Sequence, residues 1–120
     1  MTAARLATIA VFCAGLVLPA YAQMQTIRGH LVDVACATEH AKEGAAFGAK
    51  HDKMCLLMDA CMKSGYSVVT ADGRMIKLDA RGSATALELI KKTNREADWR
   101  VTVAGNVSGD TITVSTLTLQ

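Results

Sequence analysis

The chain has 120 residues, and its 13 Lys and Arg nearly balance 11 Asp and Glu. A charge this close to neutral argues against a uniformly anionic partner such as nucleic acid or an acidic membrane surface. Aromatic residues make up only 4% of the chain, which is too few for a platform that stacks single-stranded bases. We therefore expect no nucleic-acid partner.

The N-terminus has the three parts of a secretory signal peptide. Arg5 precedes an uncharged, mainly apolar run of 13 residues from Leu6 to Leu18, and the small-x-small site Ala20-Tyr21-Ala22 follows. The run is shorter than the roughly 20 residues of a membrane span. Gln23 stands where a lipoprotein would carry Cys. We predict a signal peptide over residues 1–22 and one domain over residues 23–120, periplasmic or secreted, with no membrane anchor after cleavage.

The first half of the predicted domain reads as a strand followed by a helical region. Loose alternation predicts a strand over Gln25–Val34. Ala35–Ala49, rich in Ala, Gly and charge, is interpreted as a loop with some helix. His51–Ser64 has apolar residues at helical spacing, which predicts one helix that Gly65 would end.

The second half alternates between strand and helix signals. Asp72-Gly73 between two short β-rich runs predicts a hairpin of Tyr66–Thr70 with Met75–Leu78. A helix is expected over Ser83–Thr93, capped by Ser83, with Leu87 and Ile90 on its apolar side.

Two alternating strands complete the chain, Trp99–Val107 and Thr111–Leu119, and the phase of the second slips after Val114, as at a β-bulge. Five strands with a helix between the third and fourth is the order of a small OB-like barrel. We therefore predict a mainly β fold with helices (α+β), with a Cys-bearing helical insert between strands 1 and 2. The alternative is an open antiparallel sheet with two helices on one face.

Three cysteines remain after the predicted cleavage, and they lie close in sequence to histidines and methionines. An odd number of cysteines in an oxidising compartment indicates a disulfide with a spare thiol, an intermolecular bridge or a metal site. In one continuous helix, Cys55 and Cys61 would lie about 9 Å apart along the axis, beyond the roughly 7 Å limit of a disulfide. Unless the helix breaks, a disulfide would join Cys36 to Cys55 or to Cys61.

A metal site is the second interpretation of the same residues. On one continuous helix, His51, Cys55, Met58 and Met62 would share a face, and such soft donors suit Cu(I). The spacing contains no Cys-x-x-Cys pair of the kind common in zinc sites, so we place copper before zinc. The candidate ligands are Cys36, His40, His51, Cys55, Met58 and Cys61.

Asp33, just before the cluster, is expected to cap the insert or to orient His40, and capping is the simpler role. No phosphate loop or hydrolase motif is present, and no Cys-x-x-Cys pair opens a helix as in thiol redox enzymes. We therefore assign no catalytic residue and expect a protein that is not an enzyme.

A motif series extends over nearly the whole predicted mature chain: Gly29-x-Leu31-Val32-Asp33-x-x-Cys36, His51, Cys55-x5-Cys61-x-x-Ser64-Gly65-Tyr66, Asp72-Gly73-Arg74 and Val101-x-Val103-x-Gly105. This series resembles a family of small exported bacterial proteins of uncharacterised function. The resemblance implies an exported domain with an OB-like fold, and it implies no activity. Two functional hypotheses follow: a binding module for a soft metal, copper before zinc, or a disulfide-stapled structural or protein-interaction domain without metal.

Overall fold

The structure, a computed structural model, describes residues 15–16 and 23–120. The predicted signal peptide, residues 1–22, lies outside the described residues except for Gly15 and Leu16. Among the described residues, no helix is both long enough and apolar enough to cross a membrane.

Five strands close into a barrel: β1 (Gln23–Asp33), β2 (Tyr66–Val69), β3 (Met75–Leu78), β4 (Arg100–Ser108) and β5 (Thr111–Leu119). The order around the barrel is β1-β2-β3-β5-β4, and β4 pairs back with β1. Neighbours are antiparallel except β3 and β5, which are parallel. The predicted small OB-like α+β barrel is therefore confirmed, and the open-sheet alternative is wrong because β4 closes the sheet on β1.

Alternation along the strands fills the barrel, as the sequence predicts. Trp99, Val101 and Val103 are fully buried, whereas Arg100 points outward and is exposed. The predicted bulge is also present in β5. Ala104 pairs with Thr116 and Gly105 pairs with Val114, so one residue of β5, Ser115, has no residue opposite it on β4.

The insert between β1 and β2 consists of a 3-10 turn, Ala41–Glu43, and four short helices: α1 (Val34–Glu39), α2 (Ala45–Lys50), α3 (Lys53–Leu56) and α4 (Asp59–Ser64). It covers a second, smaller core on the outside of the barrel. There Val32, Ala37 and Val69 are buried against Phe47 and Met75.

The expectation of one continuous helix over His51–Ser64 is wrong. The chain breaks at Met58, whose backbone is extended, with φ −62° and ψ 140°. The carbonyl of the buried Leu56 accepts a hydrogen bond of 2.7 Å from the Tyr66 hydroxyl, a bond that a continuous helix would draw from its own backbone. Gly65 does end the second piece, α4, with φ +80°.

The helix between β3 and β4, α5 (Ala80–Lys92), begins three residues before the predicted start. Ser83 is not its cap: the Asp79 carboxylate accepts from the Gly82 amide, and the Ser83 hydroxyl accepts from the Tyr66 amide at the start of β2. The predicted apolar side is confirmed, since Ile90 is fully buried and the half-buried Leu87 packs against the main core.

Ile90→Ala is expected to lower the free energy of unfolding by about 2–5 kcal/mol, because it leaves a cavity beneath α5. Leu87→Ala should cost less than Ile90→Ala, since Leu87 keeps part of its surface in water. Glu88→Ala, an exposed change on the same helix, should stay within about 0.5 kcal/mol. Urea unfolding of the three variants measures the difference. Equal losses for Ile90→Ala and Glu88→Ala would contradict the packing of α5.

Candidate metal centre

Asp33 is the centre of a group of buried polar side chains at one end of the barrel. It is the last residue of β1, it is paired with Tyr66 across the β1–β2 ladder, and its side chain is fully buried. One carboxylate oxygen caps α1 by accepting from the Cys36 amide at 2.9 Å. The other lies 2.8 Å from Nε2 of His51. Asp33 therefore connects the barrel to two parts of the insert.

His51 reaches this site from the end of α2, where the chain turns from helical to extended backbone. The residue is 4% exposed. The centroid of the His51 ring lies 5.0 Å from that of Phe47. On its own account, the Phe47 ring also stacks on the His40 ring, with 4.1 Å between the two centroids. Aromatic packing and the Asp33 carboxylate together hold the His51 imidazole in place.

Cys36 and Cys61 complete the site, because hydrogen bonds join the start of α1 to the end of α4. The Val34 amide donates to the Gly65 carbonyl at 2.9 Å, and the Ala35 amide donates to the Ser64 hydroxyl at 3.1 Å. These contacts bring the two Sγ atoms to 4.0 Å. The sulfurs are not bonded to each other, since a disulfide requires about 2.05 Å.

Three of these side chains have the geometry of a cation site. One ligand atom each from Asp33, Cys36 and His51 lies within 4.8 Å of the other two, the one group of three or more His, Cys, Asp or Glu with this spacing in the described part of the chain. Cys61 is not part of this group of three, but its Sγ lies 4.0 Å from that of Cys36 and could supply a second sulfur. We refer to Asp33, Cys36, His51 and Cys61 as the buried cluster, in which Cys36 alone is half-buried.

The electrostatics of the buried cluster favour a cation. Burial, followed by the hydrogen bond and charge of Asp33, raises the pKa of Cys36 to about 12. Burial and the Asp33 charge also raise the pKa of Cys61. Burial would raise the pKa of Asp33, but the hydrogen bonds from His51 and the Cys36 amide outweigh it, so the net shift is downward. Asp33 therefore stays ionised, and its charge adds to the effect of burial in keeping both neighbouring thiols protonated.

This environment has chemical consequences for the thiols. Catalytic cysteines have a lowered pKa and react as thiolates, whereas the pKa of Cys36 is raised. The protonated Cys36 thiol is therefore a weak nucleophile. A bound divalent cation reverses the balance, because it stabilises thiolates and offsets the Asp33 charge. The arrangement suits metal coordination better than nucleophilic chemistry.

The structure brings together three of the six predicted ligands, Cys36, His51 and Cys61. His40 instead stacks on Phe47 and hydrogen-bonds to Glu43 through its ring. Of the other two, Cys55 lies on α3, before the break in the predicted helix, and Met58 lies at the break. Cys55 is half-buried on α3, with its amide bonded to Asp52, and Met58 is 55% exposed. The shared face of His51, Cys55, Met58 and Met62 does not form, because it required the continuous helix.

Asp33 is the site residue that the ligand prediction omitted. The expected capping role is confirmed, and its second oxygen orients His51 rather than His40. A sequence signal exists, since Asp three residues before Cys at the end of a strand puts the carboxylate beside the Cys36 amide.

Comparisons with family models, with curated proteins and with solved structures found no match to this chain.

Proposed function

We propose that this protein is an exported, non-enzymatic binding module that holds one metal ion in the buried cluster. The supporting observation is the convergence of Asp33, Cys36 and His51, whose ligand atoms lie within 4.8 Å of one another. Export rests on the signal-peptide pattern of residues 1–22 and on the family resemblance.

The chemistry of the donors favours zinc over copper. Cu(I) prefers thiolate and thioether ligands, but Met58 is mostly exposed, and a carboxylate takes part in the buried cluster. Zinc accepts carboxylate, imidazole and thiolate together in tetrahedral sites. Two thiolates bound to zinc at about 2.3 Å lie about 3.8 Å apart at the tetrahedral angle, close to the 4.0 Å between Cys36 and Cys61. We therefore revise the order to zinc before copper.

The second candidate function is a disulfide-stapled structural or interaction domain. The 4.0 Å between the Cys36 and Cys61 sulfurs supports it as well, because this distance exceeds a disulfide bond length by only about 2 Å. Of the two pairings left open by the sequence, this geometry favours Cys36 with Cys61, leaving Cys55 as the spare thiol. The two candidates use the same sulfurs, so they are mutually exclusive states of one site.

Metal titration under reducing, oxygen-free conditions tests the proposal. The purified protein is titrated with Zn²⁺ against a chromophoric zinc chelator, and separately with Cu(I) against a copper chelator. We expect one equivalent of tightly bound zinc. Cys36→Ser should weaken binding by at least about 100-fold, because losing a ligand costs more than the 10–100-fold loss of an outer-shell partner.

Cys55→Ser is the matched control, because it removes a half-buried cysteine of the same insert that is outside the buried cluster. Its zinc affinity should stay within about threefold of wild type, a difference of less than 1 kcal/mol. Equal losses in Cys36→Ser and Cys55→Ser would contradict the assigned ligands. A reduced protein that binds neither metal would leave the disulfide-stapled domain as the function.

A further inference from the structure

A cavity of about 340 Å³ is lined mainly by residues of β1, β4, α2 and the β2–β3 turn, and none of its lining residues belongs to the buried cluster. Its floor is formed by Gly29, His30 and Val101, on paired strands β1 and β4. Ala45, at the start of α2, and Ala71, in the β2–β3 turn, form two of its walls. This volume is at the lower end of the range for small-molecule sites, roughly 300–1,000 Å³.

Close backbone packing shapes the cavity. A Cβ atom added to Gly48 of α2 would lie 2.6 Å from the Cβ of His30, so α2 contacts β1 directly. A Cβ added to Gly44 would lie 3.5 Å from the Cα of Gly73, which shows that the insert also meets the β2–β3 turn. The walls are therefore supported by backbone contacts, and the cavity is part of the fold.

The charged side chains that line the cavity are those of Arg28 and Arg100, and the polar Gln120 lines it as well. Asp98 is bonded to two of the basic groups: its Oδ2 lies 3.1 Å from Arg100, and its Oδ1 lies 2.8 Å from Nε2 of His30. Arg28 has no acidic side chain within ion-pair distance among residues 23–120.

From this combination we infer that the cavity binds a small organic carboxylate with an apolar body. Arg28 pairs with the carboxylate, since a guanidinium presents two parallel N–H donors to both oxygens. The alanines, Gly29 and Val101 contact the apolar part, which the volume limits to about one or two rings. The hydrogen bond from His30 to Asp98 and the contact of His30 with Gly48 of α2 fix the position of the His30 side chain at the base of the cavity.

Binding of 2-naphthoate to the purified full-length protein tests this inference, measured by calorimetry and by NMR shifts of the Gly29, Ala45 and Ala71 amides. We expect saturable binding that perturbs these three amides. The neutral analogue 2-naphthamide should bind at least tenfold more weakly than 2-naphthoate. Inorganic phosphate, which lacks an apolar body, should not displace the naphthoate at equal concentration.

Two variants and one control identify the site. Arg28→Gln should weaken 2-naphthoate at least tenfold and leave 2-naphthamide unchanged. Ala71→Trp should reduce the binding of both compounds by filling the mouth of the cavity. Arg81→Gln removes an exposed arginine on α5 and should change neither affinity. Thermal unfolding of each variant verifies that it is folded.

Three results would overturn the inference: no saturable binding by the wild type, shifts confined to amides outside the cavity, or equal losses in Arg28→Gln and Arg81→Gln. The NMR result with wild-type protein decides the matter even if Ala71→Trp does not fold. None of these measurements depends on metal in the buried cluster.

Discussion

Asp33→Ala is expected to lower the free energy of unfolding by about 2–4 kcal/mol, of which about 1–3 kcal/mol is the cost of a buried polar group without a partner and about 1 kcal/mol the loss of a helix cap. The substitution leaves the His51 ring, which is 4% exposed, without its hydrogen-bond partner. It also removes the cap of α1, where the carboxylate accepts from the Cys36 amide. The change therefore disturbs the start of the insert and its middle, and urea unfolding of the reduced, metal-free protein measures it.

Asp52→Ala is the matched control for this prediction. Asp52 caps α3 in the same way, accepting from the Cys55 amide at 2.8 Å, but it is exposed and has no buried histidine as partner. Its loss should cost about 1 kcal/mol, typical of a helix cap. If Asp33→Ala cost no more than Asp52→Ala, the Asp33–His51 contact would contribute nothing to stability. Asp33→Asn should be intermediate, because an amide oxygen can still cap α1.

Oxidation of the purified protein by oxidised glutathione is expected to abolish zinc binding and to stabilise the fold. Cys36 and Cys61 would form one disulfide, transferring two electrons and two protons to glutathione, which is released as two thiols. The bridge spans 25 positions, and a loop of that length contributes about 3–4 kcal/mol in the chain-entropy model. Urea unfolding and zinc titration of oxidised and reduced protein measure both effects.

Zinc should stabilise the reduced protein, in contrast to the oxidised protein, which should not respond to the metal. Zinc at about 100 times its dissociation constant should add about 2.7 kcal/mol to the free energy of unfolding, because only the folded state contains the site. EDTA should reverse this gain in reduced protein and leave oxidised protein unchanged. Reduced Cys36→Ser should show neither the stabilisation by zinc nor its reversal by EDTA, and reduced Cys55→Ser should show both. A disulfide mapped to Cys55, or an oxidised protein that still binds zinc tightly, would contradict the shared site.

The expected responses to oxidation and to zinc follow from one feature of the structure, the placement of two thiols beside a buried carboxylate. Without a metal, burial raises the pKa of Cys36 and Cys61, and the hydrogen bonding and charge of Asp33 raise it further, so both thiols stay protonated. A metal ion or a disulfide removes those protons in different ways. Which state prevails depends on the redox poise and the metal supply of the compartment, and the periplasmic or secreted location remains a prediction.

Local patterns were sufficient to predict the strands, the hairpin and the bulge. Alternation placed Val101 and Val103 in the core, and the slip after Val114 located the irregularity in β5. These features depend on neighbours in sequence, because successive side chains of a strand point to opposite faces. The order of five strands and one helix then favoured the closed barrel that the structure contains.

The helix break and the site depended on contacts between residues distant in sequence. Apolar spacing over His51–Ser64 predicted one helix, but the Tyr66 hydroxyl bonds to the Leu56 carbonyl and replaces a bond of that helix. Nothing local to residues 51–64 signals this contact. With the break, Met58 becomes exposed and the predicted face of soft ligands is lost.

The sequence by itself determined the near-neutral charge, the strand pattern, the helical insert and the cysteines available for chemistry. Only the tertiary structure decided that Asp33 joins Cys36, His51 and Cys61, and that His40 pairs with Phe47 and Glu43 instead. The physical reason is that barrel closure places the end of β1 against the insert, where burial and hydrogen bonding select which polar side chains meet.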